Sequence, residues 1–284
     1  METNKKILVL YHGNCMDGGA GAWVAWKKFG SEAEYLSQER TSIPEVSIFQ
    51  DKEVYVIDYS FAVEQMLSFE KVAKKFVCID HHISAKEAVE SLKEYTFDTA
   101  YAGSYLAWKY FFPEEAVPRL IEYVSDSDTW THKLPDYEDI DAYIYREVDM
   151  ANEFLYFEDL NKELSTDDGL ERAKRIGKLF REAHEKRVSI YEEKAELIKF
   201  EGYDIYAVNA PRDIRSELGH RLAKKTGLFS MIFSYEQGVW KCSLRSVKDF
   251  DVSVIAIKYG GGGHKNASAF SVKAEFPVDF RSKE

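Results

Sequence analysis

The chain has 284 residues, 45% hydrophobic and 14% aromatic, enough to bury one large core or two smaller ones. No apolar run approaches the roughly eighteen residues of a membrane span. The formal charge of −11 comes without the basic stripe of a protein that tracks long duplex nucleic acid. Three scattered cysteines, at 15, 78 and 242, give no disulfide framework or zinc ribbon, and the five-residue apolar run after Lys6 is too short for a signal peptide. Both features favour a reducing, cytoplasmic setting.

In chain order, Ile7-Leu8-Val9-Leu10 reads as a strand and Gly18 to Phe29 as a helix with Ala20, Ala22, Trp23, Trp26 and Phe29 on its inner face. Val54 to Ile57 and Phe76 to Ile79 read as further strands. Each is followed by a helix, Val63 to Lys75 and Ser84 to Lys93, the second opened by a Ser84/Glu87 capping box. Gly103 to Phe112 and Glu114 to Val124 read as a helical pair broken by Pro113. This alternation predicts an α/β fold with a parallel sheet covered on both faces. From 140 to 200 the pattern is helical, with one long helix over Leu170 to Phe200. Residues 201–284 read as a smaller α/β unit, with strands at Ile205–Val208, Phe229–Tyr235 and Trp240–Leu244 and helices at Ser216–Lys225 and Val252–Lys258.

Three strands end in polar residues of one chemical kind. The first runs into His12, Cys15 and Asp17, the second into Asp58, the third into Asp80-His81-His82. In a parallel sheet the carboxyl ends of the strands share one edge, where ligands bind. These side chains can therefore converge across about seventy residues of sequence, and their mixed nitrogen and oxygen donors suit one or two divalent cations. Neighbours on an extended chain face opposite sides, so Asp80, His81 and His82 cannot all point one way. Downstream, Ser125-Asp126-Ser127-Asp128 adds two carboxylates. Gly260 to Gly263 is too glycine-rich for a strand or helix interior, and its amides suit an anion nest. Arg245, on a predicted strand, either meets a phosphate or pairs with Asp249 or Asp251. His132, His184 and His220 show no partner spacing and read as structural or surface residues.

His-x4-Asp-Gly, strand-Asp, Asp-His-His and Ser-Asp-Ser-Asp, followed by Ser243-Leu244-Arg245-Ser246 and Gly260 to Ala267, resemble the ordered motifs of the DHH phosphoesterase superfamily with a C-terminal DHHA1 domain. The resemblance implies a parallel-sheet DHH catalytic domain over 1–140, a helical connector over 141–200 and a DHHA1 substrate-binding domain over 201–284. It implies metal ligation by His12, Asp17, Asp58, His81 and Asp126, with Asp58 bridging two ions. Asp126 is preferred over Asp128 by counting back from Trp130. Asp80 would orient an imidazole, and His82 would contact the scissile phosphate. Arg245, Gly261, Gly262, Gly263 and His264 would hold substrate, across a cleft from the metals.

The implied cofactor is Mn2+, two ions, with Mg2+ or Co2+ as substitutes. The implied partners are a short nucleic acid or nucleotide substrate and no membrane, with a homodimer allowed. The implied reaction is two-metal hydrolysis of short oligonucleotides or of linear or cyclic dinucleotides, and the acidic charge fits such a small phosphorylated substrate. RecJ-type exonuclease action on single-stranded DNA, polyphosphatase activity and a catalytically impaired nucleotide sensor are the alternatives. One departure stands out: Cys15 occupies the place of an Asp in the usual Asp-x-Asp-Gly, and His12 is one residue nearer Asp17 than usual. That shift favours His12, not Cys15, as the group facing the metal.

Overall fold

The computed structural model describes residues 5–38, 43–146 and 153–273. The chain divides into two compact units, Met1–Arg181 and Glu182–Glu284. Unit one contains β1 (Ile7–His12), α1 (Met16–Phe29), β2 (Ala33–Gln38), β3 (Glu53–Ile57), α2 (Val63–Val72), β4 (Lys75–Asp80), α3 (Lys86–Glu90), β5 (Tyr95–Phe97), α4 (Gly103–Phe111), α5 (Arg119–Asp128), α6 (Tyr137–Ile144) and α7 (Glu153–Leu164). The long helix α8 (Asp167–Glu193) spans the division.

The five strands of unit one pair in parallel in the order β2-β1-β3-β4-β5. Side chains alternate across the sheet with period two. Val9, Tyr55, Ile57, Val77 and Ile79 enter a core with residues of α1, α4 and α5. Leu8, Leu10, Val54, Val56, Phe76 and Cys78 enter a second core with residues of α2 and α3. Both faces are therefore covered, as apolar strands of a parallel sheet require. The chain reverses direction across the sheet at β1, with β2 on one side and β3 on the other, and the β1/β3 boundary is the position where such sheets open a ligand crevice.

Unit two holds β6 (Glu196–Phe200), β7 (Tyr203–Asn209), α9 (Arg215–Thr226), β8 (Phe229–Glu236), β9 (Val239–Ser246), α10 (Ser253–Lys258), β10 (Gly262–His264) and β11 (Ala267–Val272). Its sheet runs β10-β11-β9-β8-β7-β6, antiparallel except for the β7–β8 pair.

Several boundaries differ from the sequence reading. The helix expected to end at Phe200 stops at Glu193, and 196–200 is a strand, because Glu201 and Gly202 (φ +51° and +85°) turn the chain back onto β7. The helix expected from Glu114 starts at Arg119, with Pro118 at its cap. The capping box at Ser84 is absent: a 3-10 turn over Ile83–Ala85 precedes α3, and Ala85 caps it without a side-chain bond. Strands β2, β5 and β11 were not anticipated. Gly262 and Gly263 do lie in a strand, the short edge β10. Gly263 is needed there because a Cβ would meet the Ala267 carbonyl at 2.6 Å.

Candidate metal centre

The carboxyl ends of β1, β3 and β4 lie side by side. His12 is the last residue of β1, Asp58 follows β3 directly, and Asp80 is the last of β4. Asp58 turns out of the sheet with a left-handed backbone, φ +55°, while its amide extends the ladder to the Ile79 carbonyl at 2.9 Å. Asp adopts this region more readily than bulkier residues. Asp17 arrives from the first turn of α1. Gly18 permits that approach, since a Cβ there would lie 2.1 Å from the His12 carbonyl oxygen.

Eight side chains meet at this edge. His12 Nδ1 lies 3.3 Å from Asp58 Oδ2. His81 Nε2 lies 3.3 Å from Asp58 Oδ1, 3.2 Å from Asp128 Oδ2 and 3.9 Å from Asp17 Oδ2. Donor atoms of His12, Cys15 and Asp58 fall within 4.8 Å of one another, as do those of Asp17, His81 and Asp128, and those of Asp58, Asp80, His81 and His82. Asp58 thus belongs to two of the three groups. His12 and Cys15 both reach the same carboxylate, so the loop does not separate them.

Asp128 takes the place expected of Asp126. The Asp126 carboxylate is turned away and fully used: it accepts from the Lys133 amide at 3.0 Å, the Leu134 amide at 3.1 Å and the Thr131 hydroxyl. Burial pushes its carboxyl up, but these donors outweigh burial and hold it below the usual range.

Asp80, fully buried, accepts the His81 amide at 2.7 Å, the His82 amide at 3.1 Å and His82 Nδ1 at 2.7 Å. Because Nδ1 faces a carboxylate oxygen it must carry the proton, which leaves Nε2 as the free nitrogen of that ring. The Asp80 hydrogen bond raises the His82 pKa against the effect of burial.

The sequence reading overlooked Gly103 and Ser104 at the start of α4. Their amides donate to the buried Asp17 carboxylate at 2.7 and 2.9 Å, and the Ser104 hydroxyl donates at 2.5 Å. An X-Gly-Ser start to an apolar run is a weak helix-opening signal, and no spacing links it to Asp17.

The electrostatics are those of crowded carboxylates. Asp17 and Asp128 oxygens within 4.8 Å repel by about 3.5 kcal/mol at an effective dielectric of roughly 20. Burial, then Asp58, then Asp128 push the Asp17 carboxyl well above its ordinary range. Burial also raises Asp58, but the imidazoles of His12, His81 and His82 outweigh it and hold that carboxyl at about 2. His81 responds in kind: burial lowers its pKa, and the surrounding carboxylates, Asp58 foremost, raise it to about 9. Asp58 Oδ1 and His81 Nε2 are buried, and although they lie 3.3 Å apart neither makes a well-aligned hydrogen bond. Two donor atoms so placed, among carboxylates that need positive charge, fit a divalent cation.

In unit two, Arg245 sends Nη2 to the Ser216 hydroxyl at 3.1 Å and Nη1 to the Leu244 carbonyl at 2.9 Å. Neither Asp249 nor Asp251 pairs with it: Asp249 takes Lys265 at 2.8 Å and Asp251 takes Ser253. The amides of Gly260 and Gly261 donate to Ile257 and Ala256 at the end of α10, so they form no anion nest here. Gly261 packs against β11, where a Cβ would meet the Ala269 carbonyl at 2.1 Å, whereas Gly262 faces open space. The His264 side chain lies outside the described part of the structure.

The DHHA1 domain family matches residues 205–281. Protein R106 of Acanthamoeba polyphaga mimivirus is 29% identical over 96% of this chain and 69% of its own length. Oligoribonuclease NrnB of Bacillus subtilis is 26% identical over 94% of this chain and 73% of its own. Among solved structures, the pGpG-specific phosphodiesterase PggH of Vibrio cholerae shares the fold, with a TM-score of 0.50 and 14% identity over 94% of this chain and 93% of that one. The ordered motifs and these relatives support a DHH superfamily phosphoesterase, and the family match over residues 205–281 gives it a DHHA1 domain there.

Proposed function

We propose that this chain hydrolyses phosphodiester bonds in short oligonucleotides or dinucleotides with the help of two divalent cations, Mn2+ foremost. The observation that carries the reading is the convergence of His12, Asp17, Asp58, His81 and Asp128 on one sheet edge, with Asp58 Oδ1 and His81 Nε2 buried and 3.3 Å apart without a well-aligned hydrogen bond. Those five residues would hold the ions, and Cys15 lies close to His12 and Asp58 among them. Bound there, the cations would activate a water and stabilise the attacking and leaving oxygens.

The chain's own groups do the rest. Asp80 fixes the His82 ring and favours its doubly protonated form, so that Nε2–H can donate to a phosphate oxygen or to a leaving group, and His82 is the more open of the two motif histidines, its side chain 40% exposed against 11% for His81. Asp17, tied to Gly103 and Ser104, keeps α1 and α4 in register. The unit that ends at Arg181 would carry the catalysis, and the unit that begins at Glu182, with 196–200 in its sheet, would bind substrate. There Arg245, which has no carboxylate partner among the described residues, would take a substrate phosphate.

NrnB is named as an oligoribonuclease and PggH as a pGpG-specific phosphodiesterase, which supports a short, 5′-phosphorylated substrate. The test is a panel of 5′-phosphorylated RNA and DNA from two to twenty nucleotides, with Mn2+ and after exhaustive chelation. Metal-dependent cleavage strongest at the short end supports the reading. Full activity after chelation, or cleavage confined to long single-stranded DNA, refutes it.

A further inference from the structure

Trp130 is the most exposed large hydrophobic side chain among the described residues, at 81%. It lies two residues beyond Asp128, so its Cα is at most about 7.6 Å from that of a candidate metal ligand. An indole so placed is costly to leave in water, and its backbone adds to the cost. Trp130 has φ +56° and His132 has φ +50°, a left-handed region that bulky residues seldom occupy. Such outliers persist only where their surroundings enforce them.

The enforcement comes from Asp126. Its side chain holds Thr131, Lys133 and Leu134, and its carbonyl accepts the Thr131 amide at 3.1 Å. The loop is therefore built, and what it builds is a column of rings. Tyr137 anchors it, with its hydroxyl donating to Ser127 at 3.3 Å on α5. His132 stacks on Tyr137 at 4.2 Å and 15°. Trp130 follows on His132 at 5.3 Å and 36°. The last ring of the column is the exposed one.

From this we infer that Trp130 is the platform on which a nucleobase of the substrate stacks while the adjoining phosphate lies at the metal centre. The inference rests on the phosphoesterase reading above and adds the base contact to it. A nucleobase hangs one sugar away from the phosphate it carries, which matches the short reach from Asp128 to Trp130. Stacking on an indole tolerates any base, since every base has a π-face, so the site would favour nucleotides over base-free phosphates without demanding a sequence. In this arrangement Asp126 is a positioning residue: it touches no substrate and acts through the loop it holds.

The test compares AMP with ribose 5-phosphate, which differ only by the base, as ligands of the full chain in the presence of Mn2+. The wild type should bind AMP at least tenfold more tightly. In Trp130→Ala that preference should fall by about tenfold, about 1.4 kcal/mol, and Trp130→Phe should keep most of it. Indole fluorescence should be quenched by AMP in the wild type and not by ribose 5-phosphate. An AMP preference unchanged in Trp130→Ala, or equal weakening of both ligands, overturns the proposal. Hydrolysis of pApA by the wild type reports on the underlying reading separately. Hydrolysis with an unchanged preference in Trp130→Ala removes only the stacking platform. No binding of either ligand and no hydrolysis removes both.

Discussion

Gly103→Ala is the sharpest test of how the metal centre is assembled. Gly103 opens α4, and a Cβ there would lie 2.7 Å from the Asp58 Cβ and 3.0 Å from both the Asp58 Cα and Asp17 Oδ2. Carbon pairs prefer about 3.5–4.0 Å, so α4 and Asp58 must part by roughly 1 Å. Neither neighbour is a flexible end: Asp58 is fixed by its ladder hydrogen bond to Ile79, and Asp17 by the Gly103 amide itself. Overpacking of this kind costs about 1–3 kcal/mol. Replacing glycine in a helix returns up to about 1 kcal/mol, less at a first position. The clash should win by about 1–2 kcal/mol, lowering the melting temperature by roughly 2–8 °C. Activity is the more sensitive readout, because a displacement of about 1 Å at reacting groups can cost about 100-fold. Thermal melts, Mn2+ titration and turnover of pApA should be measured together. A Gly103→Ala protein with wild-type turnover and wild-type Mn2+ affinity would refute the claim that Asp17 and Asp58 act through their mutual placement.

Asp58→Ala should lose metal and slow turnover by orders of magnitude while far-ultraviolet circular dichroism stays unchanged, since one carboxylate serves two ligand groups; near wild-type turnover would make Asp58 structural only. Asp128→Ala should weaken Mn2+ binding, whereas Asp126→Ala should keep Mn2+ binding and lower the melting temperature, because it frees the donors of Thr131, Lys133 and Leu134; the reverse pattern in Mn2+ titrations would restore Asp126 as the ligand. Cys15→Ser should change Mn2+ affinity by less than about tenfold, because carboxylates suit Mn2+ and a soft thiolate does not; a greater loss by calorimetry makes Cys15 a ligand. Arg245→Ala should weaken binding of a product mononucleotide by about 1.5–3 kcal/mol, the worth of a charge-assisted contact, and unchanged affinity would show that Arg245 serves only Ser216 and Leu244.

The parallel sheet was legible because its strands are apolar on both faces and each ends in a polar corner. What escaped the sequence has local causes. Strand β2 is an edge strand with little alternation in burial, and β5 has three residues, too few for a period to register. The stretch Glu196-Leu-Ile-Lys-Phe200 fits helix and strand equally. Only the following Glu201-Gly202 pair, both with positive φ, marks the hairpin turn, just as Gln237-Gly238 does between β8 and β9. Pro118 was a sufficient reason to start α5 at Arg119, since proline is tolerated at a helix entrance and not inside one.

The choice between Asp126 and Asp128 shows where such signals were available and went unused. The two residues sit in the last turn of α5, two positions or about 200° apart, so one helix cannot aim both at the metal centre. Counting from Trp130 ignores that phase; counting along the buried stripe respects it. Leu120, Ile121 and Val124 are buried, and Asp128 continues that face at four residues beyond Val124 and seven beyond Ile121. Asp126 is buried too, but beside Tyr123 on the other side of the helix, under the loop it organises through Thr131, Lys133 and Leu134. The same geometry gives the second carboxylate a reason to exist. Asp128 faces the His81 imidazole, and the Asp126 carboxylate holds the chain just beyond that helix end. Asp128 and Asp126 are thus two halves of one device, one directed at His81 and its neighbouring carboxylates and one at the loop that carries Trp130.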